Sequence, residues 1–243
     1  MSAFRSKVLT NPIPIGTKMD RSVKLAAITR PEIDGVNSAE EFIAYCARVS
    51  NPTNQMNTET AGRLLKYCID NDHWSIFETV SLTLEIKCTR DIGRQILRHR
   101  SFTFQEFSQR YAAVDIDNMF SFRECRLQDK NNRQSSTPTS DKQLEDWFVL
   151  NQARVQKVCG EFYQASLDKG IAKEQARCSL PEGMTMSHMY MTGTLRSWIH
   201  YCMLRTGNGT QREHSYIARD AWDIVSDEFP SIGHIVQYEP FLD

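Results

Sequence analysis

The residues able to do chemistry crowd into one stretch, Arg98-His99-Arg100-Ser101-Phe102-Thr103-Phe104-Gln105-Glu106-Phe107-Ser108-Gln109-Arg110-Tyr111. Solvated surface carries few aromatics and mixes its charge signs, while a core tolerates arginine only when it is paired. Cationic forks interleaved with rings suit a planar, phosphorylated ligand. Side chains two apart on a helix do not share a face, so Arg98 and Arg100 leave the helix end in different directions and suit two ligands or two subunits. A plain alternative is a charged helix C-terminus stabilised by the dipole, but that does not reach Glu106, Ser108 or Arg110. Ser108 beside Arg110 offers a hydroxyl next to a bidentate fork, a pairing suited to phosphate. As a nucleophile Ser108 is poorly supported, because no G-x-S-x-G surrounds it and no general base is placed near it. His99 has no second ligand at helical spacing and so does not read as a metal site. Glu106 reads equally well as the salt-bridge partner of one of the arginines.

The remainder of the chain must position this stretch. Its 243 residues, 40% hydrophobic and 24% charged, are ordinary for a globular protein with a real core. A net charge of −1 provides no bulk basic field, so any anion site is local and nucleic acid is not an expected partner. Stacking of Arg and Phe on single strands is the reading of a different class, and the lack of a second basic stripe counts against it. The seven cysteines are odd in number and widely spaced, without C-x-x-C, which predicts free thiols in a reducing, cytoplasmic setting. No apolar run is long enough for a signal peptide or a membrane span.

In order along the chain, residues 1–20 read as irregular and Val23–Ile28 as a short strand. Ser38-x-x-Glu41 has capping-box form and opens a helix to about Ser50. A second helix starts near Asn57 or Thr58 and carries Ala61, Leu64, Leu65, Cys68 and Ile69 on one face. His73-Trp74-Ser75 is a connection, and Val80–Lys87 alternates as a half-buried strand. Thr89 caps a helix through Ile92, Ile96 and Leu97, at whose end the reactive stretch begins. Val114–Leu127 reads as partly extended, and 128–140 as an exposed polar loop. From Ser140 a long helix runs to Gly170 with Leu144, Trp147, Phe148, Val155, Val158 and Phe162 inward. A short helix at Ala172–Arg177, a methionine-rich stretch to Met191, a helix through Leu195–Cys202 and a last helix capped by Thr210-x-x-Glu213 complete the chain. Helices with interspersed strands and no regular β-α-β alternation predict an α+β fold in one domain, 1–243, with an insertion near 128–140.

The pattern Arg98-His99-Arg100-x-x-Thr103-x-Gln105-Glu106-x-Ser108-x-Arg110 resembles the R-H-R-x-x-S-x-N-E-x-S-x-R signature of flavin-dependent thymidylate synthases. Thr103 and Gln105 replace its serine and asparagine, keeping the hydroxyl and the amide. Ala47-Arg48-Val49-Ser50, His73-Trp74-Ser75-Ile76-Phe77-Glu78, Gln95, Ala176-Arg177-Cys178-Ser179-Leu180-Pro181, Leu195-Arg196-Ser197, Leu204-Arg205 and Gln211-x-Glu213 are similar to further landmarks of that family. Thr194 and Gly209 depart from its usual asparagine and histidine.

The resemblance implies helices packed on a mainly antiparallel sheet, and a homotetramer with active sites at subunit interfaces. It implies FAD as cofactor, with NADPH and 5,10-methylenetetrahydrofolate as co-substrates in the conversion of dUMP to dTMP and no cysteine adduct. Carried over, Gln95, Arg98, Glu106, Ser108, Gln109, Arg110, Arg177 and Arg205 would bind dUMP. Arg205 would act catalytically on the uracil. Ser50, Ser75, Glu78, Arg98, His99, Arg100, Glu106, Thr194, Arg196 and His200 would contact FAD, and His73 would lie on the folate and nicotinamide face. By spacing alone, Arg177 and Arg196 read as surface or salt-bridged helix residues. Arg177 and Arg205 are expected to reach the reactive stretch across a subunit boundary. A relative with altered pyrimidine chemistry, hydroxymethylating or dCMP-directed, is the near rival, and Arg205 favours uracil over cytosine.

Overall fold

A computed structural model of the chain describes residues 20–113, 118–207 and 209–238. All but the last residue of the irregular segment read over 1–20 lies outside them, as do 114–117 of the stretch read as partly extended. β1 (Ser22–Ile28), α1 (Ala39–Ala47) and α2 (Ala61–Asp70) come first. β2 (Ser81–Thr89) and α3 (Arg90–Ile96) lead to β3 (Thr103–Glu106), then β4 (Arg126–Gln128) and β5 (Ser136–Pro138). α4 (Lys142–Asp168), α5 (Lys173–Ala176), β6 (Met186–Thr194), α6 (Leu195–Thr206) and α7 (Arg212–Glu228) follow. The fold is α+β: one antiparallel sheet in the order β1-β2-β6-β3, with α3, α6 and α7 packed on it.

The alternation in β2 sends Leu82, Leu84, Ile86 and Cys88 into the core and leaves Ser81, Thr83, Glu85 and Lys87 on the opposite side. Trp198 and Tyr201 of α6, Phe77, and Phe229 after α7 are fully buried against that face. α1 begins as the capping signal predicts, with the Ser38 hydroxyl accepting from Glu41 N at 3.1 Å. The Glu41 carboxylate accepts in turn from Asn37 N at 2.7 Å. Gly170 takes φ +78 after α4, the left-handed stop that its type suits. Of the cysteines, Cys68, Cys88 and Cys202 are buried, Cys178 is exposed, and all are free thiols.

Several expectations change. The methionine-rich stretch is strand β6, central in the sheet, with Ser187, Met189, Met191 and Gly193 inward. Its alternation is masked because serine and glycine hold two core positions and methionine is no β-former. Gly193 is required by packing: a Cβ there would lie 2.4 Å from the Phe102 ring, which seals the reactive stretch onto the sheet. Thr103–Glu106, within that stretch, is itself the edge strand β3. The polar loop read at 128–140 is the turn and second strand of a short hairpin, β4 with β5, whose first strand starts at Arg126. α4 is capped by Asp141, whose carboxylate accepts from Gln143 N and Leu144 N, and not by Ser140. Thr210 does not cap α7; its hydroxyl donates to the Leu204 carbonyl, and Gln211 stands at the cap without a side-chain capping bond to the helix backbone.

The apolar stripe of α4 is the largest departure. Trp147, Val155, Val158 and Phe162 are exposed, Trp147 at 60% and Val158 at 65%, while Gln152, Gly160, Tyr163 and Ser166 face inward. Periodicity locates a stripe but not what covers it. α4 instead packs on α5 and the 177–179 turn, around a small second core of Met119, Tyr163 and Ala176.

Candidate active site

α3 sorts its side chains by helical spacing into three directions. Ile92 and Ile96 enter the core. Arg90 and Arg94, four apart on one face, reach the Glu106 carboxylate of β3 at 3.7 and 3.4 Å. Gln95 faces α7, where its Nε2 donates to Gln211 Oε1 at 2.7 Å and its Oε1 lies 3.2 Å from His214 Nδ1. Glu106 also accepts from the Ser187 hydroxyl at 2.7 Å, so β6 holds it as well. Its cationic partners are thus Arg90 and Arg94, not the arginines of its own stretch.

His99 sits just past α3, edge-on to Tyr201 with centroids 4.8 Å apart. Its Nε2 accepts from Arg205 Nε at 2.9 Å. Burial, then the adjacent Arg205 cation, pushes the His99 pKa down to about 4, so the ring is neutral and free to accept. Arg205 stands in the last turn of α6 and is half-buried. Within its own chain it thus meets the His99 end of the reactive stretch. Only its Nε has a partner among the described residues; both terminal nitrogens are unused. Behind it, His214 is fully buried with Nε2 3.1 Å from the Tyr201 hydroxyl, and burial followed by Arg205 and His99 drives its pKa down to about 3.

Ser108 opens a turn in which its carbonyl accepts from Tyr111 N and Ala112 N. Arg110 is exposed, with its guanidinium 5.3 Å from the Tyr111 ring centroid. Lys173 of α5 donates to the Tyr111 carbonyl at 3.2 Å, tying this turn to the segment that carries Arg177. Arg177 in turn is close enough to Arg90 to add to the lowering of its pKa, behind burial and Arg94. Gln109 is 3% exposed and its Nε2 has no partner among the described residues.

On the outer side, the side chains of Arg98 and Arg100 are exposed and take no partner among the described residues. The Glu78 carboxylate accepts from Arg196, joining the 74–78 turn to the start of α6. His200 stacks on Trp74 of the same turn at 4.7 Å, and burial, then Arg196, lowers its pKa. Thr194 caps α6 by accepting from Ser197 N, while the Ser197 hydroxyl donates to the Ser101 carbonyl at 3.3 Å. His73 and Ser75 are exposed beside Glu78. Ser50 follows α1, which packs on that turn, but no side-chain bond joins it to the others.

Sequence reasoning gave no role to Arg90, Arg94, Tyr201, Gln211, Glu213 or His214. Gln211-x-Glu213 was visible as a landmark, and its part is structural. Gln211 Nε2 donates to Glu213 at 3.0 Å, and the Glu213 carboxylate is clamped by Arg126 at 2.6 Å and Arg123 at 3.4 Å.

The family described as thymidylate synthase complementing protein matches residues 33–231. A protein of Paramecium bursaria Chlorella virus 1, described as a probable flavin-dependent thymidylate synthase, is 51% identical over 89% of this chain and 99% of its own length. This chain belongs to the flavin-dependent thymidylate synthase family. The flavin-dependent thymidylate synthase of Synechocystis is 46% identical, again over 89% of this chain and 99% of its own length. The crystal structure of the UMP/dUMP methylase PolB from Streptomyces cacaoi, bound with 5-Br dUMP, superposes with a TM-score of 0.73 at 25% identity, covering 89% of this chain and 94% of that one. In this enzyme α6 carries Arg205, α3 carries Gln95, and His99 lies just past α3. No described helix is long and apolar enough to cross a membrane.

Proposed function

We propose that this enzyme methylates dUMP to dTMP with 5,10-methylenetetrahydrofolate as the one-carbon donor and NADPH as reductant, using FAD. The observation that carries the reading is Arg205. A neutral histidine holds it by Nε alone, and its terminal fork has no partner among the described residues in a half-buried place. Such a fork suits the N3/O4 edge of uracil, where it would stabilise negative charge and make C5 a better nucleophile. His99 does not compete as an acid, because it is neutral and already accepting. Gln95 would contact the nucleotide from the α3 side. Ser108, Arg110 and Arg177 would hold its phosphate beside Gln109, whose orphaned Nε2 lacks the acceptor a ligand oxygen would supply. Glu106, fixed by Arg90, Arg94 and Ser187, would stand between nucleotide and flavin. The reading needs no cysteine adduct, and burial pushes the Cys88 thiol beneath α3 up to about 12.

The donor set fits FAD. Arg98 and Arg100 expose guanidinium groups without a partner among the described residues, and the 74–78 turn, with Ser75 and Glu78, packs on α6, which carries Arg196 and His200 behind its cap Thr194. Ser50 extends this set beside α1, and His73 would face the folate and nicotinamide. When bound, FAD supplies the hydride that completes the methyl group. The chain's own part is to bind the ligands, orient them and exclude water. Copies would assemble as a homotetramer. The exposed stripe of α4 supports this, because monomers rarely leave so long an apolar face in water. The chain would act as one domain, and its free cysteines fit a cytoplasmic setting.

The test is spectroscopic and catalytic. Purified protein is expected to be yellow, to oxidise NADPH, and to release tritium from 5-³H-dUMP while forming dTMP. A colourless protein that neither takes up added FAD nor releases tritium would sink the reading. Product mass spectrometry with dUMP and dCMP side by side separates it from altered pyrimidine chemistry.

A further inference from the structure

The polar chain between α3, α6 and α7 has a direction. The Glu213 carboxylate, held between Arg126 and Arg123, only accepts. Gln211 must therefore turn its amide nitrogen to Glu213 at 3.0 Å and its oxygen to Gln95 at 2.7 Å. Gln95 thus donates through Nε2 and is left with Oε1 toward His214 Nδ1 at 3.2 Å. An oxygen facing Nδ1 requires a proton there. Because the buried ring is neutral, Nε2 carries the lone pair and accepts from the Tyr201 hydroxyl at 3.1 Å. Burial, before any nearby charge, raises the Tyr201 pKa well above its ordinary value, so the hydroxyl remains a donor.

We propose that His214 is a positioning residue for the nucleotide: by donating from Nδ1 to Gln95 Oε1, it fixes the plane and polarity of the Gln95 amide. Gln211 alone holds one end of that amide and leaves it free to swing. His214 supplies the second point. Gln95, half-buried, then presents its remaining N–H and its remaining oxygen lone pair on fixed sides. A space-filling role accounts for the burial of His214 but not for two directed hydrogen bonds, since an apolar ring of the same shape would fill the same volume. The inference rests on the reading that Gln95 contacts dUMP.

Calorimetric titration of the FAD-loaded 243-residue protein with dUMP tests both. Asparagine places its amide nitrogen near the former Nδ1, whereas glutamine reaches toward the former Nε2. His214→Asn is expected to keep most of the affinity. His214→Gln and His214→Phe are each expected to raise the dissociation constant about tenfold, the effect of one lost hydrogen bond to a positioned group. In a Gln95→Ala background, already weakened, the His214 changes are expected to add nothing further. If Gln95→Ala binds dUMP like the unaltered protein, the nucleotide role of Gln95 fails and this proposal with it. If Gln95→Ala weakens binding while His214→Gln does not, or His214→Asn is as weak as His214→Gln, or the losses add, positioning is overturned and the Gln95 reading stands. The Asn and Gln variants decide the matter should the Phe variant not fold.

Discussion

On the inner side of the site, Tyr201, His214, Gln95, Gln211 and Glu213 form one hydrogen-bonded chain across α3, α6 and α7, and the bonded pair His99–Arg205 packs against it through the His99 ring. On the outer side, Arg98 and Arg100 are exposed without partners among the described residues, and the ion pair of Glu78 with Arg196 is partly solvated. The inner half is preorganised: its dipoles are set by burial and directed hydrogen bonds before any ligand arrives. The outer half is a set of donors whose geometry a ligand or a second copy must complete. Polar groups in a buried network lose much when one member goes, whereas solvated charges lose little. Mutations on the two sides should therefore differ in kind.

The largest effect is expected from Arg205→Ala, which removes the unused fork. dTMP formation should fall by roughly a hundredfold or more, as for loss of a preorganised charge-stabilising donor, while NADPH oxidation by the flavin persists. Normal turnover would break the assignment of the chemistry to the inner side. Next comes Glu213→Gln, which leaves Arg123 and Arg126 facing a neutral group in a buried place. A loss of about 3 kcal/mol is expected in denaturant unfolding.

The acid limb sharpens that point. Burial opposes ionisation of Glu213, but Arg126 and Arg123 hold its pKa below the ordinary 4.5. Its stabilisation is therefore present above 4.5 and lost as pH falls through the lowered value. His99 and His214 are depressed below 6.5, so the unfolded chain takes up protons first and stability also declines as pH drops from 6.5 toward 4. Thermal melts across pH should show both limbs, with the lower one flattened in Glu213→Gln.

Val158→Glu on the exposed stripe of α4 is expected to shift light-scattering mass toward smaller species without unfolding the chain. An unchanged mass would detach that stripe from assembly. Arg98→Ala and Arg100→Ala should each weaken FAD retention about tenfold, as for loss of one charge-assisted bond, with thermal stability little altered. The smallest effect is expected for Glu78→Gln on stability, within about 0.5 kcal/mol, because both partners of its pair are exposed. A large destabilisation there would show that the outer half is not open as described.

Thr89 stands at the start of α3 as read, but its hydroxyl donates to Asp91 Oδ1 at 2.6 Å and makes no capping bond. The sequence alone determined the chemistry-bearing stretch, the helix start at Ser38, strand β2 and the stop at Gly170. Each rests on local rules: a capping hydroxyl, a period of two, a left-handed glycine. Only the tertiary structure decided what long-range contacts decide. β3 and β6 exist because each pairs with a strand distant in sequence, and Ser187 and Gly193 belong to a core face for the sake of Glu106 and Phe102. The stripe on α4 was legible as apolar, but that it faces away from this chain's core was not, since periodicity carries no information about the covering partner. Arg90 and Arg94 as the partners of Glu106, and His214 behind Gln95, were invisible for the same reason. A hydrogen bond across 119 residues of sequence leaves no spacing to read.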